Sequence, residues 1–270
     1  MSRASIRRAT RSSDLGQLMR EASGRHNLWD VFADFCEMGA LAIANAVDLR
    51  QREEREKRYL AKIARYDKAE QALFPQMLAA LVDRMEEGPD DVLGRLFGEL
   101  DLGNSARGQF FTPYELCRLM ARVQVGDPAT LRATVEREGF ITVNEPACGA
   151  GAMIIAFSEA MREAGVEPQQ HMHATCQDID SRGVHMCFLQ LALLHIPAVV
   201  VLGNTLAVEC REAWYTPAQI MGGWTWRLQR GRHPLIETER PEAVTPEPEA
   251  ETPAPPIVTA GPLGEQMGLF

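Results

Sequence analysis

A chain of 270 residues with 46 % hydrophobic side chains can bury a full core in one domain of ordinary size plus an appendage. No apolar run reaches the roughly eighteen residues of a membrane span, and the opening MSRASIRRATRSS has no apolar h-region; the sequence thus predicts a cytoplasmic protein with no membrane partner. The net charge of −9 argues against a nucleic-acid binder only until it is divided. Residues 233–270 hold seven Glu and one Arg, and the other 232 residues carry only −3. The first 25 residues hold six Arg against Asp14 and Glu21, so local charge permits contact with DNA without demanding it.

Residues 1–13 are polar and rich in Arg and Ser, the composition of a disordered tail. From Leu28 the apolar positions Val31, Phe32, Phe35, Met38, Leu41 and Ala42 recur at helical spacing, which predicts a helix over 27–48. The charged run 51–71 extends it as an exposed helix or helix–turn–helix, and FPQMLAALVDRM (74–85) is again amphipathic. Asp90-Asp91 can cap a short helix, VLGRLFGEL. Residues 14–100 are therefore expected to be all-helical, a packing layer for the downstream chain or a face for DNA or a partner.

Thr112 is expected to cap a helix with Pro113 at its first position. The pattern then changes to alternating strands and helices. Strands are expected at 140–144, 171–178 and 197–203, with helices AMIIAFSEAMREAG and RGVHMCFLQLALLH between them. This makes half of a doubly wound α/β sheet, whose ligand crevice lies at the strand C-termini. The fold expected is α/β, a partial Rossmann-like sheet over 101–232 preceded by the helical region. Residues 207–231 are too few for the strands that would complete such a sheet, and 233–270, with eight prolines, form an acidic linker.

The loop Pro146-Ala-Cys-Gly-Ala-Gly151 carries the most chemistry. Gly149 and Gly151 let the backbone turn sharply and approach a ligand, and the following helix points its positive end at it. Ile154 stands where a dinucleotide fingerprint needs its third glycine, and no Walker lysine is present. An acidic residue ending the second strand suits ribose hydroxyls; Asp178 fills that place, with Ile179 beside it for an adenine ring, whereas Asp180 is needed as a helix cap. The six cysteines are scattered without a CxxC pair and read as reduced core residues. Zinc ligation by His171, His173 and Cys176 is a weaker reading than a polar strand end, so no metal is expected.

Taken in order, Gly108-Gln-Phe-Phe-Thr-Pro113, Asn144-Glu-Pro-Ala-Cys-Gly-Ala-Gly151, Asp178-Ile179 and Gly203-Asn-Thr-Leu206 resemble the N6-adenine DNA methyltransferases related to type I modification subunits. The resemblance implies S-adenosylmethionine as cofactor, direct methyl transfer to adenine in duplex DNA, and a role in restriction–modification. It implies a pocket walled by Phe110 or Phe111, with Thr112 and Pro113 at the methionine end. Glu145, Pro146, Ala147, Cys148, Gly149 and Gly151 would form the floor, and Asp178 and Ile179 would hold the nucleoside. Asn204 stands where the family has an acidic acceptor for the adenine amino group. The family's Asn/Asp-Pro-Pro-Tyr/Phe tetrapeptide occurs nowhere in the chain. The remaining catalytic candidates are Asn204, Trp214 and Tyr215, and a specificity chain or second methyltransferase chain could complete the machinery. A catalytically silent cofactor-fold module is the rival expectation.

The terminal Gln266-Met-Gly-Leu-Phe270 resembles the peptide that binds the bacterial sliding clamp. One polar anchor, Gln266, and two apolar side chains, Leu269 and Phe270, at the end of a solvated tether suit a preformed hydrophobic pocket.

Overall fold

The structure, a computed structural model, describes residues 14–102 and 112–230, all within one compact unit. The first half is helical: α1 (Leu15–Ala22), α2 (Leu28–Val47), α3 (Arg52–Ile63), α4 (Lys68–Gln71), α5 (Leu73–Glu86) and α6 (Val92–Glu99). Local chemistry sets the ends. Asn27 accepts the Trp29 amide at the start of α2, and Asp67 forms a reciprocal capping box with Glu70 at α4. Asp91 caps α6 by accepting the Gly94 amide. A Cβ on Gly94 would collide with the Asp91 carboxylate, so this cap requires glycine there.

After α7 (Tyr114–Val125) and α8 (Pro128–Glu138) the chain builds a four-stranded sheet. Its strands are β1 (Ile141–Glu145), β2 (Met172–Asp178), β3 (Ala198–Leu202) and β4 (Glu212–Tyr215), in that spatial order. β1, β2 and β3 are parallel, with Ile141 opposite Met172 and Ala174 opposite Ala198. The helix α9 (Ala152–Glu163) and the short α10 (Pro168–His171) connect β1 to β2, and α11 (Ser181–Leu193) connects β2 to β3. The expected strand–helix–strand–helix–strand run is therefore present. β4 comes from the stretch 207–231, which is too short to complete such a sheet but supplies one strand, antiparallel to β3. It is four residues long and half-buried, too short for a period-2 signal. Two small helices, α12 (Pro217–Met221) and α13 (Trp224–Arg230), follow it.

Register partners share a sheet face. One face, with Met172, Ala174, Cys176, Ala198, Val200 and Trp214, is fully buried in the main core. The other exposes Thr142, Asn144 and Thr175. Among the described residues the outer edge of β1 pairs with no strand. The helical half is no separate body: α2 places Phe32, Phe35 and Met38 in one core and Ala40, Leu41 and Ala44 in the core under the sheet.

Candidate functional site

β1 ends at Glu145, and the chain turns through 146–151 into α9. Gly149 (φ 50°) and Gly151 (φ 96°) lie in the left-handed region that disfavours other residues. The Cys148 amide donates to the Gln177 carbonyl (2.8 Å), and the Gly151 amide closes a turn on Cys148 (2.8 Å). The Gly149 amide donates to Asp178 Oδ2 (2.8 Å), while Asp178 Oδ1 takes the Asp180 amide (2.9 Å). The acidic residue that ends β2 is thus bonded directly to the glycine turn that ends β1. Asp180 caps α11 through the Arg182 amide, the role the sequence assigned to it.

Around this joint lies a crevice of about 480 Å³, within the range of small-molecule sites. Thr112, Glu145, Ala147, Cys148, Gly149, Asp178 and Ile179 of the expected residues line it. Ile179 is 59 % exposed, an apolar surface left uncovered at the lip. Glu145 and Asp178 both face the crevice, and neither has an ion pair among the described residues. Burial pushes the Glu145 carboxyl up, and the nearby Asp178 charge adds to this against the Ala147 amide. Two carboxylates met only by backbone amides favour a cationic ligand.

Among the lining residues that sequence reasoning missed are Phe97, Met120, Met153, Arg182, Gly183 and Met186. Gly183 carried a signal, a glycine inside a helical pattern. A Cβ there would sit 3.3 Å from both the Gly149 carbonyl oxygen and the Asp178 carboxyl carbon. The glycine lets α11 approach the loop. Beneath the floor the thiols of Cys148, Cys176 and Cys187 are buried together. Contacts with Cys148 and Cys176, and then burial, push the Cys187 thiol well up. For Cys148 the contact with Cys187, the largest single influence, pulls down, but burial together with Cys176, Asp178 and Glu145 outweighs it and the net direction is up, as suits pocket lining and not a nucleophile.

Three expectations are corrected. Thr112 is not the cap of α7: Pro113 occupies that position with an extended backbone, and its carbonyl accepts the Leu116 and Cys117 amides. Pro113 is itself extended, so the first helical residue is Tyr114 and the helix begins one residue later than expected. Asn204 is not free to accept from a ligand, because its Oδ1 takes the amides of Leu206 (3.0 Å) and Ala207 (3.3 Å). Its loop is tied to the floor by Thr205 Oγ1 donating to the Pro146 carbonyl (2.7 Å). Trp214 offers no stacking face: it is fully buried, with Arg55 and Arg58 over its ring and Phe188 and His185 against it. Tyr215 is half-buried on β4 beneath Arg50. Neither aromatic lines the crevice. Phe110, Phe111, Gln266, Leu269 and Phe270 lie outside the described residues.

No helix among the described residues is long and apolar enough to cross a membrane. No curated protein and no solved structure matches the chain. Residues 96–229, which run from α6 through the glycine turn and all four strands to α13, match the N-6 DNA methylase family model, and through them the chain belongs to the N6-adenine DNA methyltransferase family.

Proposed function

We propose that the crevice at the ends of β1 and β2 binds S-adenosylmethionine and that the chain acts in modifying adenine N6 in DNA. The observation that carries this reading is the bond between Gly149 and Asp178, which joins a close-approach glycine turn to a carboxylate suited to ribose. The crevice offers a left-handed glycine turn, the uncovered carboxylates of Asp178 and Glu145 for ribose hydroxyls and a sulfonium charge, and the apolar Ile179 at its lip, so the residues fit the cofactor. When bound, S-adenosylmethionine supplies an electrophilic methyl on a sulfonium centre. In this reading Asp178 orients the ribose, Ile179 covers the adenine, and Glu145 attracts the positive charge. Gly149 and Gly151 keep the floor low, and Pro146, Ala147 and Cys148 shape it. Pro113 and Thr112, with the amides that open α7, face the methionine end, and Phe110 or Phe111 walls the pocket.

A second reading, a cofactor-fold module without turnover of its own, is favoured by specific facts. The chain has no Asn/Asp-Pro-Pro-Tyr/Phe tetrapeptide, Asn204 is engaged in its own turn, and Trp214 is buried. Such a module would act with a second methyltransferase or specificity chain, in restriction–modification. In either reading Gln266, Leu269 and Phe270 would hold the protein to the bacterial sliding clamp, and a cytoplasmic setting follows from that work.

Calorimetry with S-adenosylmethionine or its demethylated product should give a Kd in the micromolar range, on the order of −8 kcal/mol. No heat at millimolar cofactor would end the cofactor reading. Labelled-methyl transfer to unmodified DNA, with and without host-cell extract, separates the two readings. Activity only with extract supports the module. A pull-down with purified clamp, comparing full chain and a 266–270 deletion, tests the terminal peptide; equal capture would discard it.

A further inference from the structure

Gln190 lies on α11 one turn beyond Met186 and two beyond Gly183, both of which line the crevice, yet it does not reach the crevice itself. Its neighbours along the helix, Cys187, Phe188, Leu189, Leu191 and Ala192, are buried and carry no charge. A carboxamide in that company needs partners, because each buried polar group left unpaired costs about 1–3 kcal/mol. Gln190 is fully buried and has three. Its Nε2 donates to the Ala150 carbonyl (2.8 Å) and to Asp91 Oδ1 (2.8 Å), and its Oε1 accepts the Leu93 amide (3.0 Å).

These partners come from two places far apart in sequence. Ala150 sits between the left-handed Gly149 and Gly151 in the floor of the crevice. Asp91 and Leu93 open α6, which carries Phe97 of the crevice wall. One side chain on the third element, α11, therefore fixes floor and wall against each other. The fit is chemical as well as spatial. Only a carboxamide offers two donors and an acceptor in one plane at that reach; a carboxylate lacks the donors, and a thioether of similar length has no donor and only a weak acceptor.

We propose that Gln190 is a positioning residue of the cofactor site, holding the glycine turn in register with the first turn of α6. Where it concerns cofactor affinity, the proposal rests on the reading of the crevice as an S-adenosylmethionine site. Asp91 is part of the device: its Oδ1 takes both the Gln190 and Gly94 donors. Asp91→Asn keeps one such oxygen and adds a donor beside it.

The test uses the full chain and two readouts, S-adenosylmethionine affinity by calorimetry and amide hydrogen exchange. Gln190→Met should weaken binding at least tenfold and speed exchange at 147–151 and 92–96, with other segments unchanged. Gln190→Glu, which sets a carboxylate against Asp91 and the Ala150 carbonyl, should weaken it further. Gln190→Glu with Asp91→Asn should recover part of that loss, since it removes the charge opposed to the new carboxylate while the oxygen at 91 can still accept the Gly94 amide; loss of packing alone would not be rescued this way. Parental affinity and loop protection in Gln190→Met would overturn the proposal, as would exchange rising uniformly through the chain. If the parent binds no cofactor, the cofactor reading fails, and exchange at 147–151 still decides whether Gln190 holds the loop.

Discussion

The two ends of the sheet use charge in opposite ways. At the β4 edge charge meets opposite charge. Arg58 bridges Glu37 (2.9 Å) and Glu212 (2.6 Å), Lys62 joins Glu37 (3.0 Å), and buried Arg55 pairs with Asp48 (3.2 Å). The guanidinium groups of Arg55 and Arg58 also lie over the Trp214 ring, 5.0 and 5.7 Å from its centroid. At the crevice, Glu145 and Asp178 meet only backbone amides. A cluster whose charges are matched within the fold serves the fold more than a ligand, even though Arg55 Nε and Nη2, His185 Nε2 and Trp214 Nε1 have no hydrogen-bond partner among the described residues. A pair of carboxylates left without cations is suited to receive one.

The strongest way to break this contrast is Trp214→Ala. If the β4 edge is structural, denaturant unfolding should show a loss of about 3–5 kcal/mol, with cofactor affinity retained below the transition. Parental stability with affinity or methyl transfer abolished would make Trp214 a site residue after all.

His185 sharpens the same contrast through pH. It packs on Trp214, and its Nδ1 lies 3.9 Å from Glu37 Oε2. Burial nevertheless outweighs that attraction and pushes the imidazole down to about 4, so it is neutral at pH 7. The unfolded chain takes up this proton near pH 6.5 and the folded one only near 4, so stability falls as pH drops through that window. The loss should be on the order of 3 kcal/mol, and His185→Gln should flatten it in unfolding curves recorded from pH 7 to 4.

On the crevice side, Gly149→Val should weaken cofactor binding about a hundredfold or more, since φ of 50° is hostile to a β-branched residue. Asp178→Ala should have the smaller effect, about tenfold in Kd. Calorimetry measures both, and a melting curve checks that the fold survives. Equal affinity in all three proteins would mean that the crevice is not where the cofactor binds.

What could be read in advance follows the range of the interactions. Asp91, Asp180 and the glycine turn act within a few residues of themselves, so their spacing announces them. Asp178 was legible because a strand end fixes where its side chain emerges. Trp214 was misplaced because its surroundings come from α3 and α11, more than twenty residues away, and no local pattern marks burial beneath two arginines. Thr112 failed by a single residue: Pro113 is extended and takes the cap position, a backbone choice that the Thr-Pro pair does not announce. Gln190 left no trace in the sequence at all. A glutamine inside an apolar helix looks like a surface position until its partners, 40 and 99 residues away, are known.

The spatial order of the strands has a consequence for how the molecule assembles. Each strand lies beside its neighbour in the chain, so the sheet can grow one strand at a time, with no earlier strand waiting for a later one to be inserted. Strand starts at 141, 172, 198 and 212 make each closure shorter than the last. Closure entropy rises only slowly with length, by about 0.6 kcal/mol per doubling, so the first crossover is the costliest and each later one is easier. Synthesis delivers the strands in this same order, and the nascent chain can zip from β1 toward β4 as it emerges.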